Sequence, residues 1–227
     1  MKRSLCSQCL RPLTVCFCHT IHVVDNHWPI IILQHAGETD RAIGTAKIAQ
    51  LSLKNCQTYI YQPQPHTKTK QSKGGKFSDT QASEQNKRLI ESICEQSPLL
   101  VYPGDNSAPI EQLATEVNKK PQTQDKPPLL FIDGTWRKSR RMLYECPALA
   151  ALPRVSLQTG RASRYLIRKT PNDSALSTVE AIAASLSALE DSEDIYQSLL
   201  NSMDWMIEQQ IKAMGEQKYQ RNYLKNN

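Results

Sequence analysis

The run Pro127-Pro128-Leu129-Leu130-Phe131-Ile132-Asp133 narrows the folds open to this chain more than any other stretch. Four consecutive apolar residues behind two prolines are too few for a helix and fit a fully buried strand. Beyond Asp133 come Gly134, Thr135 and Trp136, and then a basic, helix-like segment carrying Arg137, Lys138, Arg140 and Arg141. Ligands of open α/β sheets sit beyond the carboxyl ends of the strands. Asp133, Thr135 and Trp136 would then meet at a strand mouth backed by cations. A plainer reading is a strand-to-helix turn, with Asp133 as helix cap, Gly134 for the bend and Trp136 as core filler.

Other stretches repeat the alternation of short apolar runs with helical periodicity. Strands are predicted over 28–34, 56–61, 99–102, 153–157 and 165–168, besides the central one. Helical spacing predicts helices over 42–53 (capped by Thr39 or Asp40), 82–94, 110–118 and 137–144, and an amphipathic one over 195–214. Ser177-Thr178-x-Glu180 opens another apolar helical run, as a capping-box pattern shifted by one. Cys56 is expected to be a small core residue. Strand–helix alternation of this kind implies an α/β fold with a mostly parallel sheet flanked by helices.

A length of 227 residues suits one domain of moderate size with a small appendage. No run of eighteen apolar residues is present, so no membrane span is expected. No apolar leader follows the first cations, so a cytoplasmic protein is expected. The net charge of +6 is unevenly placed: between Asp133 and Lys169 nine Lys or Arg face two acids, a local +7. A polyanion, RNA or DNA, is the usual partner of such a segment, and a solvated basic face is the alternative. Lys68, Lys70, Lys73 and Lys76 lie in a long loop, 62–83, that suits either phosphate contacts or a flexible insertion.

Cys6, Cys9, Cys16 and Cys18 form a C-x2-C-x6-C-x-C pattern within 13 residues. An odd total of seven cysteines argues against a disulfide framework in a reducing compartment. Two short chelating pairs joined by a loop supply four sulfurs to a soft tetrahedral ion, and four thiolates leave no open position for chemistry. Structural zinc is therefore expected, with His19 and His22 as substitute ligands; a redox C-x-x-C is the alternative, but no strand precedes Cys6. This divides the chain into a zinc-binding knuckle, 1–24, and a larger α/β domain, 25–227.

Taken together, these residues resemble the DTW-domain family of tRNA-uridine aminocarboxypropyltransferases. Asp133-Gly134-Thr135-Trp136 matches the family's D-x-T-W signature. Further matches run in family order along nearly the whole chain: the four cysteines, Gln34-His35-x-x-Glu38, Tyr102-Pro103, Leu152-Pro153-Arg154, Ser163-x-Tyr165, Arg168-x-x-Pro171 and Leu176-Ser177-Thr178-x-Glu180-Ala181. Ala36-Gly37 departs from the family's usual proline after the histidine, and Gly104 from a common serine. The resemblance implies a SPOUT-like fold with a C-terminal trefoil knot, which physical reasoning alone would not propose.

It also implies S-adenosylmethionine as donor, bound by loops that include Leu152, Pro153, Arg154, Ser163, Tyr165, Arg168, Ser177, Thr178 and Glu180. The implied reaction moves a 3-amino-3-carboxypropyl group to N3 of a tRNA uridine, with no metal at the reacting centre and no membrane or protein partner. N3 is a weak nucleophile while protonated, so Asp133 is expected to act as base or to orient the imide. An ordinary aspartate is a poor base, and burial against Trp136 would help. Trp136 would stack on the target base or brace the strand end. Arg137, Arg140, Arg141, Arg154, Arg161 and Arg164 would meet tRNA phosphates. A SPOUT-like methyltransferase and a non-enzymatic zinc-bearing RNA-binding module are the alternatives.

Overall fold

The computed structural model describes residues 4–41, 43–63, 79–118, 126–157, 163–167 and 175–224. Six parallel strands form its sheet: β1 Ile30–His35, β2 Cys56–Tyr61, β3 Leu99–Val101, β4 Ala108–Pro109, β5 Leu129–Asp133 and β6 Arg154–Ser156. Their order across the sheet is β2-β1-β5-β3-β6-β4. The helices are α1 Ala46–Ser52, α2 Asp79–Glu95, α3 Ile110–Asn118, α4 Trp136–Glu145, α5 Pro147–Ala150, α6 Thr178–Glu190, α7 Glu193–Met214 and α8 Glu216–Tyr219.

The two-residue period of a strand explains the unbroken apolar runs. Ile30 and Ile32 of β1, with Leu129 and Phe131 of β5, enter one core shared with α1, α3, α6 and α7. Ile31, Leu33 and Leu130 enter a second core on the opposite face, under α2, α4 and α5. Helices on both faces leave β1 and β5 no solvent side, as parallel sheets require. Their register pairs Ile30 with Leu129 and runs on until Gln34 lies beside Asp133. Both strands therefore change from apolar to polar at the same level.

Several elements differ from the sequence-based expectation. The first helix begins at Ala46, and its N-cap position is Thr45 rather than Thr39 or Asp40. The capping box of α6 is in register, not shifted: Ser177 is the N-cap and Glu180 the reciprocal partner. No strand forms over 163–167; Tyr165 and Ile167 are buried there as loop residues, because their apolar side chains meet the first core without a neighbouring strand to pair with. The two-residue β4 carries no apolar pattern that could announce it. Cys56 is half-buried, and burial pushes its thiol up to about 12, so it stays protonated.

Residues 4–24 fold against the same core. Phe17 is fully buried with Cys9 and Val24 in the first cluster, Ser202 of α7 donates to the Thr20 carbonyl at 2.8 Å, and the His19 ring meets the edge of Trp205 at 4.6 Å. No helix among the described residues is long and apolar enough to cross a membrane.

Candidate active site and metal centre

Because Gln34 lies beside Asp133 on adjacent parallel strands, its side-chain amide donates to Asp133 Oδ2 at 2.7 Å. Thr178, the first residue of α6, donates its hydroxyl to Oδ1 at 2.5 Å. Asp133 is only 7% exposed and is held on both oxygens. It does not cap α4: the N-cap is Thr135, whose Oγ1 accepts from the Lys138 amide at 3.3 Å. Nor does the turn depend on the freedom of Gly134, which has no positive φ and whose Cβ would make ordinary contact. The turn account of this segment thus belongs to Thr135 and leaves the buried carboxylate of Asp133 unexplained.

The end of β1 adds a second polar group. Glu38, buried, accepts from Lys138 Nζ at 2.6 Å and pairs with Arg41 at 3.0 Å. Lys138 also donates to the Gly37 carbonyl at 3.2 Å. His35 Nδ1 accepts from the Gly37 amide at 2.9 Å; burial first, and then the Lys138 charge, hold this imidazole below its usual pKa and so neutral.

Trp136 opens α4 half-buried, its ring edge-on to Tyr102 at 5.6 Å. Tyr102 bonds Ser139 Oγ at 3.1 Å and lies under the Arg154 guanidinium at 5.8 Å, while Arg154 donates to the Ala150 carbonyl at 3.3 Å. Trp136 thereby forms one wall of a cavity of about 220 Å³. The other walls come from the ends of β3, β5 and β6 and from residues 175–178, among them Val101, Phe131, Leu157 and Leu176. Small-molecule sites usually run to about 300–1,000 Å³, so this cavity approaches that class.

A smaller void of about 60 Å³ lies on the other side of α6's first turn, lined by Glu38, Arg41, Thr45, Asp133, Thr135 and Tyr165 among others. Gly134, Ser177 and Thr178 line both spaces. Mostly apolar walls interrupted by the hydroxyl residues Tyr102, Ser139, Ser156, Ser177 and Thr178 suit a nucleoside with a polar tail.

Glu180 lines neither space. It is buried and accepts from Ser163 Oγ at 2.9 Å, the Arg164 amide at 2.6 Å and the Ser177 amide at 2.7 Å. The carboxylate thus staples segment 163–167 to the start of α6, and Tyr165 completes the clasp by donating to the Ile43 carbonyl at 2.5 Å. Leu152, Pro153 and Arg154 do not line the large cavity; Ser156 and Leu157, a few residues on, do. Arg161 and Arg168, like the lysines of the 62–83 loop, lie outside the described residues.

The cations divide into two groups. Arg141 pairs with Glu145, Arg164 with Asp204 at 2.8 Å, and Lys138 with Glu38. Arg137 and Arg140 are exposed on one face of α4, which continues to Tyr144, 88% exposed. Sequence patterning counted all of these charges alike, because it does not see which are already neutralised. It also missed the tie from Gln34 and the Thr45 and Arg41 wall; the simultaneous apolar-to-polar switch of two strands was the signal available for the first.

The four knuckle sulfurs converge. Cys6 and Cys18 Sγ lie 3.7 Å apart, as do Cys9 and Cys16, and all four fall within 4.8 Å of one another. A tetrahedral centre with metal–sulfur bonds of about 2.3 Å has sulfur–sulfur edges of roughly 3.8 Å, so the cluster fits such an ion closely. The amides of Cys9 and Gln8 lower the Cys6 pKa to about 6, while burial and the three neighbouring thiols push Cys18 up. One thiolate is thus ready and another is opposed, a conflict that a divalent cation removes. His19 is turned to Trp205 instead.

The DTW domain model matches residues 3–211 of the chain. A tRNA-uridine aminocarboxypropyltransferase 2 of Drosophila melanogaster is 30% identical over all of this chain and 83% of its own length. The Macaca fascicularis protein of the same name is 27% identical over all of this chain and 70% of its own, and a tRNA-uridine aminocarboxypropyltransferase A of Arabidopsis thaliana is 24% identical over 99% and 87%. No solved structure matches the chain closely enough to count as a relative. The family match spans the Asp133-Gly134-Thr135-Trp136 turn, the cysteine cluster and the clasp around Glu180, and the chain belongs to the DTW-domain family.

Proposed function

We propose that the chain is a tRNA-uridine aminocarboxypropyltransferase, with S-adenosylmethionine as donor and N3 of a uridine as acceptor. The names of its full-length relatives support the reaction. The observation that carries it to this site is Asp133, a buried carboxylate that lines the smaller void and is bonded to Thr178 on the Gly134, Ser177 and Thr178 edge shared with the larger cavity. The larger cavity takes the donor and the smaller one the uracil.

The donor supplies a sulfonium-activated methylene: the N3–carbon bond forms as the carbon–sulfur bond breaks, and the sulfur leaves with the electron pair as methylthioadenosine. Asp133 meets the N3 proton and either accepts it or orients the imide. Thr135 and Arg41 stand on the same wall as donors for the flanking uracil oxygens. Ser177 and Thr178 hold the charged end of the donor, while Glu180 and Ser163 position them. Trp136 braces the cavity through Tyr102. Arg137 and Arg140 contact tRNA phosphate.

Zinc is the proposed ion of the Cys6, Cys9, Cys16 and Cys18 cluster, a structural centre in a knuckle over 1–24 ahead of the catalytic domain. The cytoplasm, which keeps such thiols reduced, is the proposed compartment. A SPOUT-like trefoil knot is proposed for the region after β6, a strand that lies between β3 and β4 in the sheet although it follows both in sequence.

The test is incorporation from donor labelled in the carboxyl carbon or in the methyl group, with tRNA as acceptor. Carboxyl label in RNA supports the proposal. Methyl label alone makes the protein a methyltransferase, and neither label leaves an RNA-binding module.

A further inference from the structure

Arg11 is a buried charge without a visible counter-charge. It lies between two of the knuckle cysteines in sequence and is 8% exposed. Among the described residues its guanidinium has two contacts: Nη2 donates to the Gly44 carbonyl at 3.3 Å, and the group lies 4.9 Å over the Phe17 ring. No carboxylate among the described residues pairs with it. Guanidinium cannot shed its proton, and a buried ion left unpaired costs several kcal/mol. Burial indeed works against the Arg11 charge, and the neighbouring Cys9, Tyr165 and Cys16 groups favour it.

The missing anion is supplied by the proposed metal centre. Four thiolates around one divalent ion carry a net charge of −2, and Arg11 is the buried cation beside them. Its other contact points away from the knuckle. Gly44 belongs to the segment leading into α1, and Ile43, Gly44 and Thr45 line the smaller void next to Asp133. Tyr165 holds the neighbouring Ile43 carbonyl, and Thr45 Oγ1 accepts from the Val179 amide at 3.4 Å. The same wall is thus fastened from the metal side by Arg11 and from the α6 side by Tyr165 and Val179.

We propose that Arg11 is the counter-cation of a dianionic tetrathiolate metal centre and, through the Gly44 carbonyl, couples metal loading to the wall of the void beside Asp133. It acts as a positioning residue, removed from the reacting atoms. The proposal rests on the metal assignment made above and not on the transfer reaction, so its readouts are metal affinity and amide exchange. Either can fail while transfer activity stands.

Full-length protein carrying Arg11→Met, which keeps the length and loses the charge, is compared with Arg11→Lys, which keeps the charge and loses the planar fork. Zinc affinity is read by competition with a chromophoric chelator, and hydrogen exchange is followed at the amides of 43–46. Removing a group that supports metal ligands usually weakens affinity about 10- to 100-fold. Arg11→Met should fall in that range, and Arg11→Lys should recover most of the loss.

In the wild type, stripping zinc should speed exchange at 43–46. In Arg11→Lys, where the fork to Gly44 is lost, those amides should exchange fast whether zinc is present or not. Zinc affinity of Arg11→Met equal to wild type overturns the counter-cation role. Exchange at 43–46 indifferent to zinc in the wild type overturns the coupling, and this second result needs no variant to fold.

Discussion

Asp133→Asn separates the chemical role of the carboxylate from its structural one. The structure shows two hydrogen bonds that an asparagine can keep: its oxygen accepts from one partner, and the partner facing its NH2 reverses, either the Gln34 amide turning over or the Thr178 hydroxyl rotating to accept. What is lost is the charge. A hydrogen bond to a charged group contributes about 1.5–3 kcal/mol and a neutral one about 1, so two such bonds lose roughly 1–4 kcal/mol of stability. The easier burial of a neutral amide offsets part of that. The chemical loss is larger in kind. An amide cannot take the N3 proton or hold the imide in the same sense, and single-turnover transfer at saturating donor and tRNA should slow by at least about a hundredfold, some 2.7 kcal/mol. Donor and tRNA affinity should hold. Asp133→Ala is the control for folding: it strands the Gln34 amide and the Thr178 hydroxyl at about 1–3 kcal/mol each. A single-turnover rate of Asp133→Asn within about threefold of wild type refutes the reasoning and reduces Asp133 to an anchor between β5 and α6.

Arg137→Ala with Arg140→Ala should weaken tRNA binding and lower its salt slope by about 0.7 to 0.9 for each phosphate no longer neutralised. Tyr144→Ala, on the same exposed face, should remove about 1–3 kcal/mol of tRNA binding with little salt dependence, measured by filter binding across salt concentrations. Cys9→Ser should abolish stoichiometric zinc. Because Cys9 shares the first core with Phe17 and α7, a loss of about 3 kcal/mol should appear as a single melting transition lowered by roughly 6–12 °C. His35 has a folded pKa below its unfolded one, so its contribution to stability is complete above about pH 6.5 and is lost as pH falls below that. Denaturant midpoints from pH 8 to 5 should decline less steeply in His35→Gln than in the wild type.

The α/β class and the central strand were legible because burial on both faces forces unbroken apolar runs, and β5 is such a run. Helix periodicity found α3 to the residue and α7 nearly so, since each has one apolar stripe and a polar remainder. Segment 163–167 misled for the same reason: Tyr165 and Ile167 alternate like a strand and are buried like one, but their backbone has no neighbouring strand. Charge was the least legible quantity. Lys138 is neutralised by Glu38 at the end of β1, a tertiary fact, whereas Arg141 meets Glu145 one turn along α4 itself, a pair that the i,i+4 spacing could have announced. The tie from Gln34 to Asp133 depends on register between strands about a hundred residues apart, which no local pattern encodes.

The arrangement around Thr178 also bears on which donor carbon reacts. A sulfonium activates every attached carbon, so selection rests on which one faces the acceptor. The walls of the larger cavity are mostly apolar, and a charged amino acid end placed against them would forfeit its hydration. Its polar lining comprises Tyr102, Ser139, Ser156, Ser177 and Thr178, and of these Ser177 and Thr178, with Gly134, form the edge shared with the smaller void. With the charged end at that shared edge, as proposed, the side-chain methylene would face the uracil while the methyl stays with the apolar walls. Thr178→Val tests this, because it removes one hydroxyl and the hydrogen bond to Asp133 at almost constant size. Loss of a hydrogen bond to a charged group, about 1.5–3 kcal/mol, corresponds to roughly a 10- to 150-fold slower single turnover. Methylthioadenosine lacks the amino acid end, so its affinity should stay within about twofold of wild type while that of S-adenosylmethionine falls. Equal weakening of both would place Thr178 against the nucleoside and remove this account of the regiochemistry.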